Sequence, residues 1–282
     1  MKPFIDKSVL VTAGAGGIGR YIASSFANAG ARVHIVDLDK NALATLKSDL
    51  ASSDFPDALV TQADVSKQDQ VEQIFSRHFE QFDGIDVLVN CAGSAGPTAM
   101  VENVLLNDWQ DCFGVNLNAT FMCSQKAIPA MKQKRAGSII NISSTAGWHG
   151  YPLRAAYCSA KWAVIGFTKS LAMELGQYGI TANAICPGSV EGERMDRVIA
   201  AEAKEKGISE QEVRKNYTRS CSMRTFISAQ DVADMALFLG SEHASKVTGQ
   251  IMNVDGHLEN YGGLDDLSID DLIIENSEAS HR

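Results

Sequence analysis

Short apolar segments alternate with helical segments along most of the chain, and this alternation constrains the fold more than any other feature. Strands are predicted at 8–12, 32–36, 58–63, 85–89, 138–144, 180–186 and 249–254. Nearly continuous apolar strands that are separated by helices are typical of a parallel sheet covered on both faces. The alternation through 282 residues therefore favours one large α/β domain over two small ones. Ligands of such sheets bind beyond the carboxyl ends of the strands.

A glycine-rich turn, Ala13 to Gly19, joins the first strand to a helix that is predicted to run to Ala29. Glycines permit a tight turn and let backbone N–H groups approach a pyrophosphate at the positive end of a helix. The second strand ends at Asp37, whose carboxylate can accept hydrogen bonds from ribose hydroxyls and would repel a 2′-phosphate. This pattern predicts NAD rather than NADP. The alternative for Asp37 is the N-cap of the following helix.

The ends of the third and fourth strands carry further candidates for cofactor contacts. Asp64 precedes Val65 after the third strand, and its carboxylate would either bond the adenine amino group or cap the helix at 67–82. Ala92 and Gly93 follow Asn90 after the fourth strand. These small residues would let a cofactor lie flat against the loop, or they form a simple turn.

Tyr157 and Lys161 are four positions apart on a predicted helix at 154–178, so they lie one turn apart on the same face. A phenol ionises near pH ~10, and a nearby ammonium that is screened from water can lower that pKa. Ser144 lies thirteen residues before Tyr157, at the carboxyl end of a strand. The alternative is that Tyr157 packs and that Lys161 extends to solvent.

Asn116 lies among apolar neighbours in a long helix predicted at 107–133. A buried asparagine needs hydrogen-bond partners, so its side chain is either a satisfied structural group or part of a polar relay.

Charge and cysteine usage exclude several classes of protein. The net charge of −9 gives no overall attraction to nucleic acid or to an anionic membrane, which favours a small-molecule substrate. Six cysteines without a CxxC pair, and histidines without ligand spacing, predict reduced thiols in a cytoplasmic protein and no metal site. The sequence shows no stretch of the roughly 18 apolar residues that a membrane span requires.

The segment at 191–225 departs from the alternation because it is helical and highly charged, with eight basic and seven acidic residues. It forms either a solvated amphipathic helix pair or a lid over the substrate in which an arginine binds an anion. We expect one domain at 1–263, with a substrate lid at 189–225, and an acidic extension at 264–282. The apolar residues of that extension predict a short docked helix with a frayed end.

From about Lys7 to Gly256 these motifs, in this order and spacing, resemble the short-chain dehydrogenase/reductase family. The resemblance implies a single Rossmann-type, doubly wound domain with a seven-stranded parallel sheet and helices on both faces, assembled as a homotetramer or homodimer. It also implies a nicotinamide cofactor, bound through Thr12, Gly14, Gly17, Ile18, Gly19, Asp37, Asp64, Val65, Asn90, Ala92, Gly93, Tyr157, Lys161, Pro187, Gly188 and Val190.

The family's mechanism gives each catalytic candidate a role. Tyr157 would be the general acid/base for the substrate oxygen, and Ser144 would hold and polarise that oxygen. Lys161 would bind the nicotinamide ribose and lower the pKa of the phenol, while Asn116 would support a water that passes the proton onward.

The chain departs from the family pattern at four positions and in the length of its tail to Arg282. Cys91 replaces a common second asparagine, which is a mild change. Ala13 replaces the first glycine of the turn, and Gly192 replaces a threonine that often contacts the nicotinamide. His257 replaces a glycine, and it would lie either at a subunit contact or on the surface.

Three functions follow from these observations. The first is an NAD-dependent dehydrogenase of a secondary alcohol, which acts on the ketone in reverse. The second is a 3-oxoacyl-thioester reductase, which usually takes NADPH and is therefore disfavoured by Asp37. The third is a non-catalytic nucleotide-binding regulatory protein, against which the complete set of Asn116, Ser144, Tyr157 and Lys161 argues.

Overall fold

The sheet is described by a computed structural model that covers residues 3–51 and 58–258. Its strands are β1 (Ser8–Thr12), β2 (Arg32–Asp37), β3 (Leu59–Gln62), β4 (Val87–Asn90), β5 (Gly137–Ile142), β6 (Ile180–Pro187) and β7 (Ile251–Val254). They form one sheet in the order β3-β2-β1-β4-β5-β6-β7, and every neighbouring pair is parallel. The seven-stranded parallel sheet and the doubly wound fold are therefore confirmed.

Helices cover both faces of this sheet. They are α1 (Gly17–Asn28), α2 (Lys40–Ala51), α3 (Gln68–Gln81), α4 (Leu106–Phe113), α5 (Ala119–Lys134), α6 (Ala155–Leu175), α7 (Glu193–Lys206), α8 (Glu210–Arg219) and α9 (Ala229–Gly240). Val9 and Val11 of β1 pack in the core beneath α1 and α9, whereas Leu10 faces the core beneath α3, α5 and α6. This alternation follows from the twofold period of a strand and explains why β1 is buried along its whole length.

The long helix that was predicted at 107–133 is interrupted. A π turn at Gly114–Asn118 separates α4 from α5, and the N–H of Ala119 bonds the carbonyl of Gly114, five residues earlier. Asn116 lies in this turn and is fully buried. A π turn adds one residue to a helix and is frequent at functional sites.

The charged segment after β6 forms the helix pair α7 and α8. Ile199, Ala203 and Val213 make a small apolar core between the two helices. Arg214 and Asp196 pair across them at the surface. The amphipathic helix pair is thus confirmed, and movement as a lid stays a prediction.

The acidic extension at 264–282, and the docked helix that the sequence predicts there, lie outside the described residues. His257 precedes that region, and its Nδ1 shares a 2.7 Å hydrogen bond with the Oγ of Ser222. Its predicted subunit contact is not tested by the described contacts. Within 3–51 and 58–258, no helix is both long and apolar enough to cross a bilayer, and no cluster of three or more His, Cys, Asp or Glu residues could hold a metal ion.

Candidate active site

The glycine turn presents an uncapped helix N-terminus at the carboxyl edge of the sheet. Helix α1 begins after Gly16, which makes no side-chain cap, and its first turn contains no acidic residue. Gly17 has a φ of +48°, which a side chain would disfavour. The unsatisfied N–H groups and the positive helix end therefore fit a pyrophosphate.

Packing explains the other glycines of the turn. A Cβ on Gly14 would lie 2.9 Å from the Ile35 side chain, and one on Gly19 would overlap the carbonyl oxygen of Ala13. Ala13 itself has a φ of +52°, the left-handed region in which a glycine is usual. The turn therefore keeps the backbone course that glycine would allow, at the cost of strain in Ala13.

Asp37 faces this turn. Its Oδ2 accepts a 3.0 Å hydrogen bond from the N–H of Ala15, and its Oδ1 accepts one of 3.0 Å from the N–H of Asp39. The cap of α2 is Asp39, whose Oδ1 accepts from the N–H groups of Asn41 and Ala42. The N-cap interpretation of Asp37 is therefore wrong, and its carboxylate lies beside the phosphate turn.

Asp64 caps a turn rather than a helix. Its Oδ1 accepts from the N–H of Ser66 at 2.9 Å, while the N-cap of α3 is Lys67. The capping of α3 by Asp64 is therefore wrong. The predicted contacts of Asp64 and of the buried Val65 with adenine stay predictions.

Thr12 joins the glycine turn to the end of β4. Its Oγ1 accepts 3.0 Å hydrogen bonds from the N–H groups of Cys91 and Ala92. The amide nitrogen of Asn90 is turned into the interior, where it donates to Asn141 at 2.8 Å and to Ser124 at 3.1 Å. The side-chain nitrogen of Asn90 thus stabilises the sheet, and the loop after β4 is held in place.

Asn116 and Lys161 converge on Gly93. The Nδ2 of Asn116 donates to the carbonyls of Ser94 (3.1 Å) and Cys112 (2.9 Å), whereas its Oδ1 is buried without a partner. A Cβ on Gly93 would lie 2.7 Å from that Oδ1 and 3.3 Å from the Nζ of Lys161. Gly93 therefore keeps open the space where an acceptor and an ammonium meet, which suits a polar relay.

Tyr157 lies on the same helix as Lys161, and Ser144 lies just beyond the end of β5. The Nζ of Lys161 is 5.7 Å from the centre of the Tyr157 ring and donates a 2.9 Å hydrogen bond to the carbonyl of Ile142. The hydroxyl of Ser144 lies near the phenol and lowers its pKa. Lys161 is buried, so it does not extend to solvent, and it lies between Tyr157 on one side and Asn116 on the other.

Opposing effects set the pKa of the phenol. Burial alone raises the pKa of Tyr157, but the charges of Arg194 and Lys161 and the nearby hydroxyl of Ser144 lower it below its usual value. Burial has the opposite effect on Lys161 and lowers its pKa, while the negative charge of a Tyr157 phenolate raises that pKa. The arrangement favours ionisation of Tyr157, as a general base requires.

Two arginines were missed as individual site residues. The guanidinium carbons of Arg154 and Arg194 lie 4.9 Å and 5.9 Å from the centre of the Tyr157 ring. Arg154 bonds the carbonyl of Ala95, and Arg194 bonds that of Gly93. Arg154 precedes Tyr157 by three residues, and this helical spacing could have indicated it.

A cavity of about 350 Å³ lies between the loop after β4 and helix α7. Its walls include Gly93, Ser94, Ala95, Gly96, Thr98, Arg194, Arg197, Val198 and Ala201. The sequence predicts pocket walls from Ser94 to Thr98, from Trp148 to Leu153 and from the 189–225 segment. The first and third contribute to this cavity, whereas 148–153 is not among its lining residues.

Pro187 and Gly188 form the opposite edge of the site at the end of β6. A Cβ on Gly188 would lie 2.9 Å from the Cα of Asp255, so close packing on β7 requires glycine there. Val190 pairs with Ile227 in an isolated bridge, and Gly192, at φ +130°, starts α7. The contacts of Pro187, Gly188, Val190 and Ile18 with a cofactor stay predictions.

Comparisons with known proteins agree with this geometry. The family described as short chain dehydrogenase matches residues 7–204. A D-beta-hydroxybutyrate dehydrogenase of Rhizobium meliloti is 32% identical over 254 residues, which cover 89% of this chain and 98% of that protein.

Solved structures show the same fold. The NAD+-bound form of a xylitol dehydrogenase matches with a TM-score of 0.86 and 27% identity, over 90% of this chain and 99% of its own. A variant of the actinorhodin polyketide ketoreductase with NADPH matches with a TM-score of 0.86 and 31% identity, over 93% and 99%. The chain belongs to the short-chain dehydrogenase family and is an oxidoreductase that interconverts secondary alcohols and ketones with a nicotinamide cofactor.

Proposed function

We propose that the protein is a dehydrogenase that uses NAD in preference to NADP. The observation that carries this proposal is the Asp37 carboxylate beside the N–H of Ala15, at the edge of the phosphate turn. A carboxylate there can accept from two ribose hydroxyls and repels a 2′-phosphate. Solved relatives with NAD+ and with NADPH both exist, so this carboxylate is the discriminating feature.

The residues around Tyr157 would move the proton of the reaction. When bound, the cofactor would take or give the hydride at the substrate carbon. Tyr157 would accept the hydroxyl proton in oxidation and return it in reduction, while Ser144 would hold the same oxygen. Lys161 would keep the phenolate stable, and the unpartnered Oδ1 of Asn116 would hold a water behind it.

The cofactor proposal is tested by titrating the protein with NADH and NADPH and following nucleotide fluorescence. Turnover of a panel of secondary alcohols, xylitol among them, is then measured with NAD and with NADP. We expect the lower Kd and the higher kcat/KM with the unphosphorylated pair. A preference for NADPH would contradict the role of Asp37 and would favour the second candidate, a ketoreductase of 3-oxoacyl thioesters.

We also propose that the protein assembles through α5 and α6 as a homotetramer or homodimer. Phe121 on α5 is 46% exposed, and Trp162 and Met173 on α6 are 52% and 86% exposed. Phe121 reaches the partly exposed Phe167 on α6, with ring centres 6.2 Å apart. Large apolar side chains exposed together on two adjacent helices are typical of a subunit interface.

The six cysteines support the cytoplasm as the location that we propose. All six are free, and five of them are buried. Free thiols that form no disulfide suit a reducing compartment.

A further inference from the structure

Two guanidinium groups flank the phenol of Tyr157. Arg154 approaches from the start of α6 and Arg194 from the first turn of α7, at 4.9 Å and 5.9 Å from the ring centre. The family's acid–base chemistry needs one positive charge beside the tyrosine, and Lys161 already supplies it. The two additional charges therefore need a separate explanation.

Arg154 is held in an environment that does not satisfy it. Only 8% of the residue is exposed, and its Nε is buried without a hydrogen-bond partner. One hydrogen bond fixes it, from Nη2 to the carbonyl of Ala95 at 3.0 Å. A buried charged group without full pairing is unfavourable relative to the same group in water.

The position of Arg154 along the chain adds to this cost. Arg154 is the N-cap of α6, which is 21 residues long. The N-terminus of a helix carries a partial positive charge, so a cation there is repelled while an anion is attracted. A guanidinium at this end is favourable once an anion lies beside it.

No described carboxylate forms an ion pair with either arginine. The nearby acids of the helix pair are engaged elsewhere: Glu193 pairs with Arg197, Asp196 with Arg214, and Glu202 with Lys206. Arg194 does bond the carbonyl of Gly93 at 3.1 Å, which leaves its charge uncompensated. An anionic ligand would give both guanidinium groups the charged partner that these carboxylates do not supply.

We propose that the substrate is a small hydroxy acid, or the matching keto acid, whose carboxylate binds Arg154 and Arg194 while its hydroxyl or carbonyl oxygen lies at Tyr157. The planar guanidinium fork matches the two oxygens of a carboxylate. Arg194 also lines the neighbouring cavity of about 350 Å³, which is at the small end of the usual range of roughly 300–1,000 Å³ and would take a short carbon chain.

This inference rests on the proposed dehydrogenase function and names its substrate class. In oxidation, the C–H bond would break and its hydrogen would leave with both electrons, as hydride, to bound NAD+, while the O–H proton would pass to the Tyr157 phenolate and the C=O bond would form. The carboxylate is unchanged. It serves for recognition alone, which separates this role from that of Lys161.

The test compares acids with their uncharged carboxamides. The probes are 2-hydroxybutanoate, 3-hydroxybutanoate and 4-hydroxypentanoate, each with its carboxamide, assayed with NAD. For at least one chain length we expect kcat/KM for the acid to exceed that of the amide by about 10- to 100-fold, the range expected for a hydrogen bond to a charged group. Equal values for every pair would overturn the proposal.

Variants assign that preference to residues. In Arg154→Gln and in Arg194→Gln the acid-to-amide ratio should fall by about tenfold or more, and Arg154→Lys should restore part of it. Lys204→Gln is the matched control. Lys204 is exposed on α7, and the substitution removes one positive charge, as each arginine variant does. Arg194 is exposed, so its variant carries little risk of unfolding.

An equal loss for acid and amide in both arginine variants would mean that these residues act only on Tyr157, and the proposal would fail. Calorimetric titration of butanoate and butanamide, with and without NADH, measures the carboxylate site without turnover. The site is supported if the Kd of butanoate is higher for Arg154→Gln than for the parent protein. It is overturned if butanoate and butanamide bind the parent with the same Kd. Failure to bind NADH would instead overturn the dehydrogenase function, so the two failures are distinguishable.

Discussion

Lys161 lies one helical turn beyond Tyr157, with its ammonium nitrogen 5.7 Å from the centre of the phenol ring. Because Lys161 is buried, water screens this charge poorly and the phenolate is stabilised. The pair is thus positioned for proton transfer before any substrate binds.

Removal of the phenol oxygen should abolish catalysis without preventing cofactor binding. For Tyr157→Phe we expect kcat to fall by about 10²- to 10⁴-fold, the usual contribution of a general acid/base, with little change in the Kd of NADH. Tyr178→Phe is the control, because the Tyr178 ring packs on Lys132 at 4.5 Å instead. Steady-state kinetics and fluorescence titration measure both quantities. A Tyr157→Phe variant equal to the parent in every assay would instead favour the non-catalytic regulatory function.

Asp37→Ser should shift the cofactor preference toward NADPH. The change removes the negative charge beside the phosphate turn while keeping a small hydrogen-bonding side chain at the end of β2. We expect the ratio of kcat/KM for NADP to that for NAD to rise about tenfold or more, which corresponds to ~1.4 kcal/mol. Asp39→Ser, which alters only the cap of α2, should leave that ratio unchanged.

Ala13→Gly should stabilise the protein. The left-handed conformation at φ +52° costs a non-glycine residue roughly 1–2 kcal/mol, and the extra entropy of glycine in the unfolded chain offsets part of that. We expect the free energy of unfolding to rise by about 0.5–1 kcal/mol in urea titrations without cofactor. Ala29→Gly, at φ −79°, should lower it. A loss of stability in both variants would contradict strain at Ala13.

His34 and His78 should make stability depend on pH. Their Nδ1 atoms lie 3.3 Å apart in the interior, and the carbonyl of Gly84 bonds the Nε2 of His78. That carbonyl requires a proton on Nε2, so the Nδ1 of His78 accepts from His34, and the Nε2 of His34 accepts from Thr61. Both rings are therefore neutral.

Burial, above all, lowers the pKa of His34 to about 3 and that of His78 to about 4. Unfolded histidines bind a proton below about pH 6.5. The contribution of the neutral pair to the free energy of unfolding is therefore fully present above that pH and declines as the pH falls toward 4. The slope should approach about 2.7 kcal/mol per pH unit for two groups. Urea unfolding at a series of pH values measures it. In His78→Gln the dependence of the unfolding free energy on pH should be about half as steep. The same slope in the variant and in the parent protein would contradict the neutral pair.

Trp162→Asp should weaken the proposed assembly through α5 and α6. Trp162 is exposed in the single chain, so a charge there should leave the fold intact but oppose burial against a second copy. Light scattering coupled to size-exclusion chromatography should show a smaller species. Glu174→Gln, at an exposed site on the same helix, is the control. An unchanged mass for Trp162→Asp would place the interface elsewhere.

The sequence predicted the sheet because each strand carries its own apolar pattern and each strand end carries a distinctive polar or glycine motif. It also predicted Tyr157, Lys161 and Ser144, whose spacing along one helix and one strand end is a local property. Arg154 and Arg194 are forty positions apart, and only the tertiary fold brings both to one ring. The role of Asp39 as the cap of α2, in place of Asp37, likewise depends on the course of the chain at the end of β2.

The π turn at Gly114–Asn118 could not be predicted either, because it changes the helix by a single residue within a continuous helical pattern. Each residue advances a helix by about 100°, so the turn sets the rotational phase of α4 relative to α5. Deleting one residue there would restore a regular helix, and α4 would swing by about a quarter of a circle while α5 stayed packed on the sheet. Cys112 of α4 lies against Gly96 of the cavity wall, so such a deletion would change what supports that wall.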